Sequence, residues 1–236
     1  RVSVDIDLTY LPIQDRETTL SGIKKALMGI CQRISRLGSN YCIDKSRIES
    51  GKLYISRAGV IIKLEVNLVM RGSLFKCERI ALCKKAQDIF GSYCEISIIP
   101  KGQLYGGKIC AALDRQHPRD FFDVKYILND TGLDESIKYG FLYCLLSNER
   151  PIHELLSPNL LDQTAALEKQ FSGMSTELFS YNDFQTVRND LIGSISRLFE
   201  DSDKHFLLDF IRGKPDWSLY NFQQFPSIQW KLLNLE

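Results

Sequence analysis

Polar and apolar residues alternate from Val2 to Tyr10. Val2, Val4, Ile6 and Leu8 share one side, and Ser3, Asp5, Asp7 and Thr9 share the other. A period of two predicts a half-buried strand. The period then lengthens: Leu20, Ile23, Leu27, Ile30, Ile34 and Leu37 recur at helical spacing. They predict a helix over residues 16–37 with Gly38 as its stop. Lys24, Lys25, Arg33 and Arg36 lie largely off that stripe, as a solvated face requires. Two strands are expected next, over 47–56 and 60–70, joined by a hairpin at Arg57-Ala58-Gly59. A helix over 78–90 should end at Gly91, and a short strand over 95–99 should stop at Pro100. From Leu104 onward the pattern is helical, with helices expected over 105–115, 119–129, 134–147, 160–171, 183–199 and 204–212. Strands gather early and helices late. The fold class is therefore α+β: a mixed sheet with helices over 1–103, followed by an all-helical part over 104–236.

Composition narrows the function classes. The 236 residues are 44% hydrophobic and 25% charged, the balance of an ordinary globular protein with room for a sizeable core. No apolar run of about 18 residues exists, so no membrane-spanning helix and no membrane partner are expected. The opening RVSVDIDLTY has no signal-peptide pattern. It starts on Arg1 instead of Met, and the chain is expected to begin partway through its own motif. A net charge of +1 neither demands nor excludes a nucleic-acid partner, because local patches matter more than the total. The seven cysteines form no CxxC pair, and none stands at metal spacing with His117, His153 or His205. That argues against a structural zinc site and for a reducing, cytoplasmic location.

Three features carry candidate chemistry. Asp5 and Asp7 are two apart on a strand, so their carboxylates project to the same side. Such a pair is costly unless a cation or strong donors neutralise it, a need that Mg²⁺ bound by carboxylates and phosphate oxygens meets. The plainer alternative is two solvated acids on an open strand. Second, Lys63, Glu65 and Asn67 alternate with Leu64, Val66 and Leu68. If that strand lies beside the first, Glu65 completes a three-carboxylate set of the kind that holds two metal ions for in-line phosphoryl transfer. Lys63 then balances the cluster or contacts a phosphate; otherwise it makes a simple cross-strand salt bridge. Third, Gly106-Gly107-Lys108 begins a run through Ala111-Ala112-Leu113-Asp114-Arg115 to Pro118-Arg119-Asp120-Phe121-Phe122-Asp123. Lys108 and Arg115 are seven apart on one helix face, and Ala111 and Ala112 keep the helix slim. Pro118 restarts the chain, and Asp120 and Asp123 fall near the first turn of the next helix. Capping by Asp120 and ordinary pairing of Arg115 and Arg119 with acids would also explain this run.

The order of these motifs resembles the AbiEii/AbiGii toxin family of nucleotidyltransferases from type IV toxin–antitoxin systems. The likeness runs from Arg1, Ser3, Asp5 and Asp7, through Lys63-Leu64-Glu65, to the long lysine-to-aspartate run ending at Asp123. Phe171-Ser172-Gly173-Met174, Lys214-Pro215-Asp216-Trp217 and Gln229-Trp230-Lys231-Leu232 extend it over nearly the whole chain. The resemblance implies a polymerase-β-like nucleotidyltransferase core with a helical second domain. It implies transfer of a nucleotide from an NTP to a target such as a tRNA acceptor end, dependent on Mg²⁺ or Mn²⁺ and countered by a cognate antitoxin protein. By position, Asp5, Asp7 and Glu65 match the metal-binding carboxylates, and Ser3 and Lys63 match neighbouring substrate contacts. Lys108 matches the third motif's phosphate contact, and Asp120 and Asp123 match the last motif, with Asp123 set to position or activate an acceptor hydroxyl. Arg115 and Arg119 join the nucleotide-binding set. The family's glycine-containing triphosphate element lies upstream of the paired aspartates, and the residues from Arg1 to Val4 do not include it.

Two further readings stay open on the residues alone. One is a non-catalytic nucleotide- or RNA-binding relic of such an enzyme. The other is a transferase acting on a small molecule such as an aminoglycoside, or on a protein, since a fold does not fix its substrate. An RNA acceptor calls for a basic groove, for which Lys24, Lys25, Lys84, Lys85, Arg115 and Arg119 are the candidates.

Overall fold

A computed structural model describes residues 5–235. The chain divides into two compact units. The first comprises Arg1–Gly72 with the short segments Met174–Thr176 and Asn221–Trp230; the second holds the remainder.

The first unit carries β1 (Asp5–Leu8), α1 (Arg16–Ser35), β2 (Cys42–Asp44), a 3₁₀ turn at Ile48–Ser50, β3 (Lys52–Arg57) and β4 (Val60–Val66). The strands form one mixed sheet in the order β1-β4-β3-β2. β1 runs parallel to β4, and the other neighbours are antiparallel. The β3–β4 hairpin closes on Ala58-Gly59, both at positive φ (49° and 80°). That is the twist a two-residue hairpin loop needs. α1 starts where the Asp15 side chain accepts the Thr18 N–H. It lays Ile23, Leu27 and Cys31 against Leu53, Leu64 and Val66 on one face of the sheet. This leaves the opposite face, with Asp5, Asp7, Lys63 and Glu65, for polar work.

The helix is shorter than its apolar stripe suggested. It ends at Ser35, and Leu37 lies exposed beyond it. The strand expected from residue 47 begins only at Lys52, because the Gly51 and Lys52 N–H groups fold back onto Ile48 and Arg47. β2, three residues long, is too short to show a period.

The second unit opens with β5 (Glu78–Ala81), α2 (Lys84–Phe90) and β6 (Glu95–Ile98). The helix expected over 78–90 is thus corrected at its start. Glu78–Ala81 pairs antiparallel with β6, and the ladder continues as the Leu82 N–H donates to Cys94 O at 2.8 Å. Those residues find cross-strand partners before a helix can claim them. From residue 101 onward the regular structure is helical: α3 (Lys101–Arg115), α4 (Pro118–Asp130), α5 (Glu135–Ser147), α6 (Ile152–Leu156), α7 (Thr164–Ala166), α8 (Tyr181–Leu198), α9 (Asp201–Ile211) and α10 (Pro226–Leu233). α7 widens into a π-helical stretch, Leu167–Phe171. The α+β class holds, as a mixed sheet with helices followed by an all-helical carboxy-terminal half. By compactness the chain divides at Gly72–Ser73, whereas the change of pattern in the sequence lies near residue 103.

α5 is the centre of the second unit, with Ile137, Phe141, Leu142, Tyr143, Leu145 and Leu146 wholly buried. α3 crosses it closely because three glycines meet there. A methyl group on Gly106 would lie under 3.0 Å from Gly140 C and Phe141 N, and one on Gly140 would strike Gly102. Lys231 closes the carboxy-terminal end of α5, donating to the carbonyls of Leu145, Asn148 and Arg150 at 3.3, 2.7 and 2.9 Å. Its burial pushes the ammonium down to about 8. No helix among the described residues is long and apolar enough to cross a membrane.

Candidate active site

The parallel register of β1 and β4 sets Asp5 opposite Lys63 and Asp7 opposite Glu65. Register partners in a sheet project to the same side. The alternation in both strands therefore delivers all four polar side chains to the face that α1 leaves uncovered. Lys63 stands between two of the acids, with its Nζ 2.6 Å from Glu65 Oε2 and 3.4 Å from Asp5 Oδ2. A second lysine, Lys52 of β3, reaches Glu65 Oε1 at 3.0 Å, because Lys52 is Glu65's register partner across the hairpin. The hydrogen bond from Lys63 holds the Glu65 carboxyl below its ordinary range against the opposing effect of burial, and Lys52 adds to it. The hydrogen bond to Glu65 raises the Lys63 ammonium, partial burial opposes it, and Asp5 contributes further.

The third motif lies on the α3–α4 corner of the second unit. Lys108 on α3 donates to Asp123 Oδ2 on α4 at 2.7 Å. Arg115 Nη2 donates to Asp120 Oδ1 at 3.0 Å, while Asp120 Oδ2 is buried without a hydrogen-bond partner. Arg119 makes no ion pair among the described residues. α4 is amphipathic in the way its sequence requires. Phe121 and Phe122 point into an aromatic core with Phe184, Phe171 and Phe179. The alternation around them turns Asp120 and Asp123 toward α3. His117 caps α4: its Nδ1 accepts the Arg119 N–H at 3.1 Å, and its Nε2 lies 3.0 Å from Gln170 Oε1. Because Nδ1 is an acceptor, the ring proton belongs on Nε2, where Gln170 can accept it.

Thus Asp5, Lys63 and Glu65 come together on the sheet, with Asp7 in register beside them. Lys108 and Asp123 form one pair on the helical corner, and Arg115 and Asp120 another. Ser3 lies outside the described residues. Among the described residues no group of three or more His, Cys, Asp or Glu side chains is placed to hold a metal ion. At the sheet, Glu65 engages two ammonium groups, and Asp5 shares one of them. Hard carboxylate oxygens on one strand face suit Mg²⁺ or Mn²⁺ at Asp5 and Asp7. Glu65 fits the same ion only if Lys63 and Lys52 release it.

Sequence reading missed Lys52, although Lys52, Tyr54 and Ser56 alternate with Leu53 and Ile55 and so announce a polar face. It also missed Arg188, a charge set among the apolar positions Phe184, Leu191 and Ile195 of α8. Gln116, buried at the corner, has no signal in the sequence.

A family model described as nucleotidyl transferase AbiEii toxin, type IV TA system, matches residues 1–234. No curated protein and no solved structure matches the chain.

Proposed function

The chain belongs to the AbiEii nucleotidyl transferase toxin family of type IV toxin–antitoxin systems, and we propose that it moves an NMP from an NTP onto an RNA acceptor, with tRNA the first candidate. A protein antitoxin is the partner that such a toxin requires. The observation that carries this reading is the β1–β4 register, which aligns Asp5 and Asp7 with Lys63 and Glu65 on one open face. In it, Asp5 and Asp7 would hold Mg²⁺ or Mn²⁺, and Glu65, now paired with Lys63 and Lys52, would be the third carboxylate available to the ion. A bound ion of this type would neutralise charge on the triphosphate and on the leaving pyrophosphate, and would favour loss of the acceptor hydroxyl's proton.

The remaining roles fall to side chains. Lys63 and Lys52 offset the carboxylates before substrate arrives. An ammonium has three donors, so Lys108 keeps two for phosphate oxygens while it holds Asp123. Ser3, Arg115 and Arg119 contribute further contacts to the nucleotide, and Asp120 fixes Arg115. The acceptor hydroxyl attacks the α-phosphorus, the bond to pyrophosphate breaks, and the hydroxyl proton passes to a carboxylate, for which Asp123 is the candidate.

The test uses the native full-length protein with tRNA, Mg²⁺ and each α-labelled NTP. Wild type should label the RNA, and Asp7→Ala should lose roughly 10²–10³-fold or more of that rate, the usual cost of removing one preorganised electrostatic element. Its melting temperature should hold, because Asp7 is exposed. Undiminished labelling by Asp7→Ala, or no labelling of any RNA by wild type, would reject the reading.

A further inference from the structure

Gln116 ends α3 in a left-handed conformation, φ 50°, and is buried. Its amide is engaged at both ends. Nε2 donates to Asn159 O at 2.7 Å, and Oε1 accepts from the Leu161 N–H at 3.1 Å and from Arg188 Nη1 at 3.3 Å. Arg188 Nη1 also donates to Leu161 O at 2.8 Å, closing a ring of Arg188, Gln116 and Leu161. A second strap runs from Gln163 Nε2 to Arg115 O at 3.3 Å.

Stability alone gives a poor account of Arg188. Arg188 is 4% exposed, and its guanidinium stacks on Phe184 at 4.8 Å, has no acidic partner among the described residues and leaves Nε without a hydrogen bond. A guanidinium buried without a counter-ion carries a desolvation cost that its hydrogen bonds to Gln116 and Leu161 only partly offset. What an apolar residue cannot do is hold the Gln116 amide and the Leu161 carbonyl in one geometry. Gln116 lies between Arg115, which pairs with Asp120, and His117, which caps α4. The conformation of this corner sets how α4 starts, and so where Asp123 meets Lys108.

We propose that Arg188 is a positioning residue for nucleotidyl transfer: acting through Gln116, it fixes the α3–α4 corner so that Arg115, Asp120, Asp123 and Lys108 are presented in their working arrangement. This rests on the transferase reading above.

The experiment compares native full-length wild type, Arg188→Met and Arg188→Lys. Three quantities are read: kcat and KM for NTP in RNA labelling, melting temperature, and amide hydrogen exchange. Arg188→Met should lower kcat about tenfold or more, with a smaller rise in KM for NTP from the displaced Arg115 and Lys108, the pattern of alignment lost chiefly for the chemical step. Its melting temperature should change little, because the relieved desolvation of the guanidinium offsets the two hydrogen bonds lost. Exchange at residues 116–123 should quicken while α5 keeps its protection. Arg188→Lys, which retains a donor toward Leu161 O, should regain part of the rate. An unchanged kcat overturns the proposal, as does a fall in kcat and melting temperature together that lysine does not relieve. If wild type labels nothing, the transferase reading fails by itself. Exchange then decides on the clamp alone, and unaltered exchange at 116–123 in Arg188→Met overturns it.

Discussion

Lys63 serves two carboxylates at once, and this determines how the polar face of the sheet titrates. Glu65 is depressed in the folded state, so its share of stability is present above its ordinary value of 4.5 and is lost as pH falls through the lower folded value. Lys63 is raised, so its share is present below 10.5 and is lost as pH rises through the higher folded value. The pair therefore works across the whole range between those limits. In Lys63→Met the Glu65 carboxyl should titrate higher, as followed by carboxyl-carbon NMR, with Lys52 left to hold part of the depression. Urea unfolding at neutral pH should show a loss of no more than about 1 kcal/mol, because the pair is partly exposed. That loss should shrink once the pH is low enough to protonate Glu65 in wild type. A Glu65 titration that does not move would mean that Lys63 is not what depresses it. The faces of Asp5, Asp7, Lys63 and Glu65 were legible because a strand's period fixes the side to which each residue points. Which acid the Lys63 ammonium chooses was not legible, since spacing does not specify a rotamer or bring in Lys52 from a third strand.

At the scale of elements, the close crossing of α3 and α5 depends on glycine, and the two adjacent glycines of the Gly106-Gly107-Lys108 motif have different duties. A β-carbon on Gly106 would collide with the backbone of α5, which cannot yield without moving the helix. A β-carbon on Gly107 would meet only Cys144 Sγ, at an ordinary 3.7 Å. Gly106→Ala should destabilise by on the order of 1–3 kcal/mol or more through overpacking. Gly107→Ala should be neutral or stabilise by up to about 1 kcal/mol, from helix propensity. Thermal unfolding of the two variants side by side is the check, and equal losses would mean that the crossing is not glycine-limited. The sequence reading credited Ala111 and Ala112 with keeping α3 slim. Helical periodicity shows that α3 exists but not which of its faces meets a backbone, so the role of Gly106 and Gly140 was hidden. The β5–β6 ribbon was hidden for a related reason. Glu78–Ala81 is too short to display a period of two, and its partner lies beyond α2 in the chain.

For the whole molecule, the two compact units do not follow the order of the chain. Asn221–Trp230 joins the first unit some 150 residues after Gly72, while Lys231–Glu236 belongs with the second. A scan for composition and periodicity finds where strands give way to helices, near residue 103, but cannot see a late segment returning to an early unit. That return is an apolar matter. Phe222, Phe225 and Ile228 are almost wholly buried, and Phe225 approaches Gly72 so closely that a β-carbon there would lie 3.0 Å from the ring and 3.1 Å from Ile13. The segment Asn221–Trp230 therefore completes the core of the first unit, and Lys231, the next residue, closes the end of α5 in the second. Phe225→Ala should remove roughly 3–5 kcal/mol, the range for a buried phenylalanine that leaves a cavity. The loss should be felt first in the unit that Phe225 completes. Native-state hydrogen exchange separates the possibilities, because local opening and global unfolding expose different amides. In Phe225→Ala the β3–β4 amides, such as those of Leu53 and Val66, should lose more protection than those of Phe141–Leu145 in α5. Uniform loss across both sets would show that the units unfold as one, and unchanged protection at β3–β4 would show that the sheet does not depend on the returning segment.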